Sequence, residues 1–139
     1  MKCQKIGHTL VLRIDRGEEL LKAIQSACEQ ENVKLGFITG LGAVDHAVVG
    51  LYRVEEQKYY SNTFDGEMEL TSLVGNVTAM DGNTYLHLHA NFAKADGQVV
   101  GGHLNEAVIS GTGEIFIHIL DGSVNRRRDP VTGLNIFDL

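Results

Sequence analysis

From Val33 to its last residue the chain reads with a period of two, and that alternation restricts it to a β-rich fold. Successive side chains of a strand point to opposite faces, so alternating apolar and polar residues bury one face of a sheet. The pattern predicts strands over residues 33–39, 43–53, 59–64, 67–78, 84–92, 106–120 and 134–139. A further strand is predicted ahead of them at 6–14, rich in Leu, Val, Thr and Ile. Asp81-Gly82-Asn83 and Asp96-Gly97 are hairpin turn signals. The single proline, Pro130, falls in a terminal loop, so no strand has to absorb it. Gly40-Leu41-Gly42 and Gly111-Thr112-Gly113 lack the third glycine and the following helix of a dinucleotide fingerprint and read as turns or bulges.

Only one stretch departs from this pattern. Leu20, Leu21, Ile24, Ala27 and Cys28 recur at helical spacing, with Glu19, Lys22, Gln25 and Glu29 on the other side. A helix over 18–31 follows, with Asp15 as its expected N-cap and Asp15-Arg16-Gly17-Glu18 as a capping arrangement. Many strands and one helix predict an α+β fold, an antiparallel β-sheet with the helix packed on one face. With 139 residues, 43% of them apolar, and no linker, the expectation is a single domain over 1–139.

Three histidines crowd into 17 residues of this framework, at His87, His89 and His103. On the predicted strand His87 and His89 share one face, while Leu86, Leu88 and Ala90 take the other. Their Cα atoms then lie about 6.6 Å apart, and two imidazoles at that spacing can converge on one ion. His103 follows Gly101-Gly102, where the backbone can turn sharply and return a side chain to the strand. A lone strand histidine is more often a hydrogen-bonded structural residue, but three together point to a metal site. Three protein ligands leave a position for water or substrate, and zinc is the first candidate ion.

Composition narrows the remaining classes. The apolar runs are short and broken by Gly, Asp and Asn, so no membrane span is expected. The segment Met1–Lys5 lacks the apolar core of a signal peptide. Cys3 and Cys28 fit neither a disulfide framework nor a CxxC pair, and Cys28 falls on the apolar side of the helix, so a cytoplasmic setting is expected. The net charge of −6 argues against direct DNA binding without excluding it, because nucleic-acid affinity comes largely from neutralised phosphates. The one basic run, Arg126-Arg127-Arg128, could make a local phosphate or carboxylate contact, but a solvated loop or a source of intersubunit ion pairs is the simpler reading.

Gly75-Asn76-Val77-Thr78, Leu86-His87-Leu88-His89 and Asp96-Gly97-Gln98-Val99-Val100-Gly101-Gly102-His103-Leu104 together resemble the plant-and-prokaryote-conserved (PPC) domain. Gly40-Leu41-Gly42-Ala43, Glu114-Ile115 and the stretch 126–133 extend the resemblance to nearly the whole chain. The resemblance implies a homotrimer in which stand-alone prokaryotic members can hold a metal through His87, His89 and His103. Plant relatives carry a separate AT-hook that grips DNA, and prokaryotic relatives are called predicted DNA-binding proteins by analogy. No Arg-Gly-Arg-Pro-like hook is present here. The cupin barrel, a rival with His-x-His on a strand, has a glutamate shortly after the second histidine. Asn91, Phe92, Ala93 and Lys94 stand there instead, and no proline precedes His103.

The expected function is therefore a small homotrimeric metal-binding protein. It would bind a small anionic ligand at the metal or catalyse metal-assisted hydrolysis. Glu69, Glu106 and Glu114 are candidate general bases, although a solvent-facing strand residue is the simpler reading of each. Asn76 and Asn105 are candidates to orient a histidine or bound ligand. The alternative is a non-catalytic trimeric interaction module or a DNA-associated regulator.

Overall fold

Burial alternates along the strands as the period-two pattern requires, and the computed structural model, covering residues 1–139, organises them into one α+β domain. In chain order the elements are β1 (Lys2–Ile6), β2 (Thr9–Ile14), α1 (Leu20–Gln30), β3 (Gly36–Arg53), β4 (Lys58–Met80), β5 (Asn83–Lys94), β6 (Val99–Ile119), β7 (Asn125–Arg128) and β8 (Asn135–Asp138). Every pairing is antiparallel except one parallel bridge from β4 to β7 at Ala79 and Asn125. The sheet runs β1-β2-β6-β3-β4-β7-β8, while β5 pairs with both β4 and β6. Strands β3, β4, β5 and β6 thus close into a ring, and this closure brings β6 alongside β5 at the histidines.

The strands are longer than the sequence pattern suggests. The predicted strands 33–39 and 43–53 are one strand, β3, and 59–64 and 67–78 are one strand, β4. The Gly40–Gly42 segment is absorbed as a register shift against β4, and a second shift lies between Val44 and His46. Such bulges bend a strand and raise its twist, so a curled sheet needs them where a flat one would end the strand. Residues 6–14 are two elements: Gly7, at φ 56°, turns β1 back onto β2. β1 escaped the periodicity because it is an edge strand exposed along its whole length.

Helix α1 begins later than expected. Glu19, not Asp15, is the N-cap, and its carboxylate accepts from Leu21 N at 2.9 Å and Lys22 N at 2.8 Å. Asp15 lies one turn earlier, where its N–H donates to Glu18 Oε2 at 2.8 Å and its carboxylate pairs with the Met1 ammonium at 3.2 Å. Both carboxyls are held below their usual range chiefly by hydrogen bonds from that ammonium. The helix lays Leu20, Ala23, Ile24, Ala27 and Cys28 onto the inner face of the sheet. These join Leu88, Ala90, Phe92, Leu70, Leu73, Ile38 and Ile117 in one core, each buried Leu or Ile worth about 1.5–3 kcal/mol. Burial pushes the Cys28 thiol up to about 12, so it acts as a small apolar residue, and neither cysteine is paired. No helix is long and apolar enough to cross a membrane.

Candidate metal centre

The side chains of β5 divide as the alternation demands. Leu88 and Ala90 enter the core, while His87 is half-buried and His89 exposed on the face away from the helix. His89 stands directly opposite His103 in the β5–β6 ladder. His103 therefore reaches the other two by strand pairing, not by the sharp turn expected of Gly101-Gly102. Both glycines lie inside β6, and a Cβ on Gly101 would sit 2.5 Å from the carbonyl oxygen of Ala90. Gly101 thus lets β6 close on β5, while a Cβ on Gly102 would sit 2.7 Å from the Gly50 carbonyl oxygen of β3.

The three imidazole centroids are 5.2 Å (His87–His89), 5.1 Å (His87–His103) and 5.6 Å (His89–His103) apart. Ligating nitrogens from all three lie within 4.8 Å of one another. Two metal–nitrogen bonds of about 2 Å span about 4 Å, so modest ring rotation is enough for all three to share an ion. No protein group hydrogen-bonds to any of these rings. His118 and His46, by contrast, are bonded to Thr9 Oγ1 at 3.1 Å and to Asp65 Oδ1 at 2.6 Å. Three unpartnered imidazoles facing one point are the donor set that a divalent cation fits.

Burial favours the neutral form of His87 and His103. Burial, then the neighbouring His103, His89 and Arg126, lowers His87 to about 4, and burial together with His89 lowers His103. Neutral imidazoles present lone pairs, the state in which a metal is bound. Freed of any ion, the folded protein takes up the His87 proton later than the unfolded chain does as pH falls. Its stability should therefore decline as pH drops from about 6.5 towards about 4. Thermal unfolding of chelator-treated protein across that range checks the sign, and a rise in stability would contradict it.

Beside the histidines lies a cavity of about 720 Å³, walled by Tyr52, Tyr59, Tyr85, Leu134, Ile136 and Phe137. Arg126 lines it and is only 8% exposed. The arginine run is thus no solvated loop: it forms β7, paired with β8. Arg126 donates to Thr78 Oγ1 (2.8 Å), the Asn135 carbonyl (2.7 Å) and Asn76 Oδ1 (2.9 Å). Its guanidinium lies 4.6 Å from the Tyr85 ring centroid and 4.5 Å from that of Phe137. Burial lowers its pKa, yet an arginine so placed stays charged at neutral pH. Arg127 pairs with Asp138 at 3.4 Å, and Arg128 reaches the cavity from an exposed position.

The other expected participants are placed differently. Glu69, Glu106 and Glu114 do not line the cavity, and Glu69 borders a separate depression. Asn76 does line it but bonds to Arg126, not to a histidine. Asn105 donates to the Tyr59 hydroxyl at 2.6 Å, and that hydroxyl reaches the His103 carbonyl at 3.3 Å. Sequence reading offers the arginine run an anion contact but does not single out Arg126, because a four-residue strand between β4 and β8 carries no periodic signal.

A family profile described as the Plants and Prokaryotes Conserved (PCC) domain matches residues 1–121. The chain is 31% identical to a candidate DNA-binding protein from Bacteroides thetaiotaomicron, covering 99% of this chain and 96% of that one with a TM-score of 0.96. It is 33% identical to a metal-containing protein from Archaeoglobus fulgidus, covering 97% and 96% of the two chains with a TM-score of 0.90. It is also 30% identical over 125 residues to a bifunctional GlmU protein from Synechococcus, matching 88% of this chain but spanning only 19% of that protein's length. The histidine pair of β5, the third histidine of β6 and the profile match agree: this chain belongs to the Plants and Prokaryotes Conserved domain family.

Proposed function

We propose that residues 1–139 act as one metal-binding PPC domain, with His87, His89 and His103 holding a divalent cation, zinc first among candidates. The observation that carries this reading is the convergence of three imidazoles that have no other hydrogen-bond partner. The metal content of the Archaeoglobus fulgidus relative supports it. Bound there, the ion supplies fixed positive charge and Lewis acidity. Around it the protein contributes an aromatic-walled cavity and the Arg126 cation, a setting suited to a small anionic ligand. No carboxylate lines that cavity to act as a base, which favours ligand binding over hydrolysis. Elemental analysis of protein purified without chelator tests the reading, with about one divalent ion per chain as the expected result and a metal-free protein as the adverse one.

Self-association as a homotrimer belongs to the same proposal. The sheet face away from α1 leaves Phe37, Leu41, Val74 and Phe116 exposed, and Val74 pairs directly with His89. Contiguous exposed apolar surface marks an interaction site, and the PPC resemblance supplies the number three. Light scattering at micromolar protein should return three chains per particle, and a monomer would remove the argument.

The second reading, a DNA-associated regulator or non-catalytic interaction module, is favoured by the name of the Bacteroides thetaiotaomicron relative. The geometry weighs against direct contact with DNA. Arg126 is buried and Arg127 is paired with Asp138, so the basic run presents little free charge. A random duplex at about 0.15 M salt, where exposed charges are screened beyond about 8 Å, should show no mobility shift. A tight complex under those conditions would favour the regulator.

A further inference from the structure

Arg126 is a buried cation with no anionic partner. A guanidinium has five N–H donors. Three are used on Thr78, Asn135 and Asn76, and all three acceptors are neutral. No carboxylate lies within ion-pair distance of it, although the chain carries 18 acidic residues. Nor does any acidic residue line the cavity it faces. Burying an unpaired charge is costly, and buried charges are as a rule paired. The Tyr85 and Phe137 rings hold the guanidinium plane, leaving one N–H on each terminal nitrogen without a protein partner.

We infer that the Arg126 end of this cavity is a binding subsite for a small organic carboxylate. Its two oxygens take the two remaining N–H groups, and its apolar body lies against Leu134, Ile136 and Phe137. A planar fork with two donors matches a carboxylate bidentately. The apolar and aromatic walls suit a short carbon chain better than a fully hydrated inorganic ion. The histidine cluster stands in the same cavity, linked to Arg126 through Asn76, which pairs with His87 across the β4–β5 ladder. This inference builds on the metal reading by naming a ligand class, but the arginine subsite needs no ion to be tested.

The test is calorimetric titration of isovalerate and of isovaleramide, which has the same shape without the charge, into the protein as purified and after chelator treatment. The expected result is at least tenfold tighter binding of isovalerate in both preparations, with NMR shifts at the Tyr85 and Phe137 rings. Arg126→Gln should abolish the preference, while Arg127→Gln, which removes an equal charge outside the cavity, should keep it. Equal binding of acid and amide, no binding of either, or shifts located away from those rings would overturn the subsite. Tighter binding of inorganic phosphate than of isovalerate would overturn the carboxylate class. If Arg126→Gln does not fold, the acid–amide comparison and the ring shifts on the unaltered protein still decide. Protein purified without chelator that holds no metal yet keeps the acid preference would sink the metal reading alone, and a metal-loaded protein without that preference would sink the subsite alone.

Discussion

Replacing His89 with alanine is expected to lower metal affinity by more than about 100-fold while leaving the fold intact. Loss of a group that merely orients a metal ligand costs about 10–100-fold, so loss of a ligand costs at least the upper end of that range. His89 is exposed, and its neighbours Leu88 and Ala90 on the opposite face are untouched, so the stability of the metal-free protein should change by no more than about 0.5 kcal/mol. His103→Ala should behave alike in metal content, since the two residues are paired across β5 and β6. Competition with a chromogenic chelator measures the affinity and urea unfolding the stability. Full metal retention by His87→Ala, His89→Ala and His103→Ala would reduce these residues to ordinary strand histidines.

Gly75→Ala is expected to damage fold and site together. Gly75 pairs with Leu88 in the β4–β5 ladder, next to the Asn76–His87 pair. A Cβ at this position would lie 2.1 Å from the His87 carbonyl oxygen and 2.9 Å from Leu88 Cα. Both atoms are backbone, so the clash can be relieved only by moving one strand away from the other. Overpacking of this kind costs about 3 kcal/mol, a large share of a small domain's stability. The displaced strand is the one that carries His87 and His89, so metal content should fall as well. Urea midpoints and metal analysis of the same preparation check both halves, and unchanged stability would show that the ladder relaxes without cost.

How far these features could be read in advance depended on whether a residue's role left a periodic trace. The inward face of β5 was readable because Leu86, Leu88 and Ala90 alternate with the histidines, and the same pattern placed His87 and His89 together. Helix α1 was readable from its apolar stripe, but its start was not. Asp15 and Glu18 have the spacing of a cap, whereas Glu19 takes the role because its carboxylate also receives Ala107 N at 3.3 Å from β6. That contact comes from a strand 88 residues away, which local spacing cannot reveal. The glycine breaks in β3 and β4 resembled strand ends because turns and bulges use the same residue for the same conformational freedom. Arg126 was obscured by its setting among Arg127 and Arg128. Only the pairing of β7 with β8 buries Arg126 against the cavity wall while leaving Arg127 and Arg128 exposed.

The chain has six histidines, at positions 8, 46, 87, 89, 103 and 118, which makes a residue-resolved metal titration decisive. Zinc added to chelator-treated protein can be followed through the ring resonances of all six. The account predicts that one equivalent shifts His87, His89 and His103 together and then saturates. His46, bonded to Asp65, and His118, bonded to Thr9 and stacked on Phe37 at 4.5 Å, should stay where they are. Saturable shifts confined to His8, His46 or His118, or no shift at one equivalent, would contradict a metal centre built from the facing strands β5 and β6.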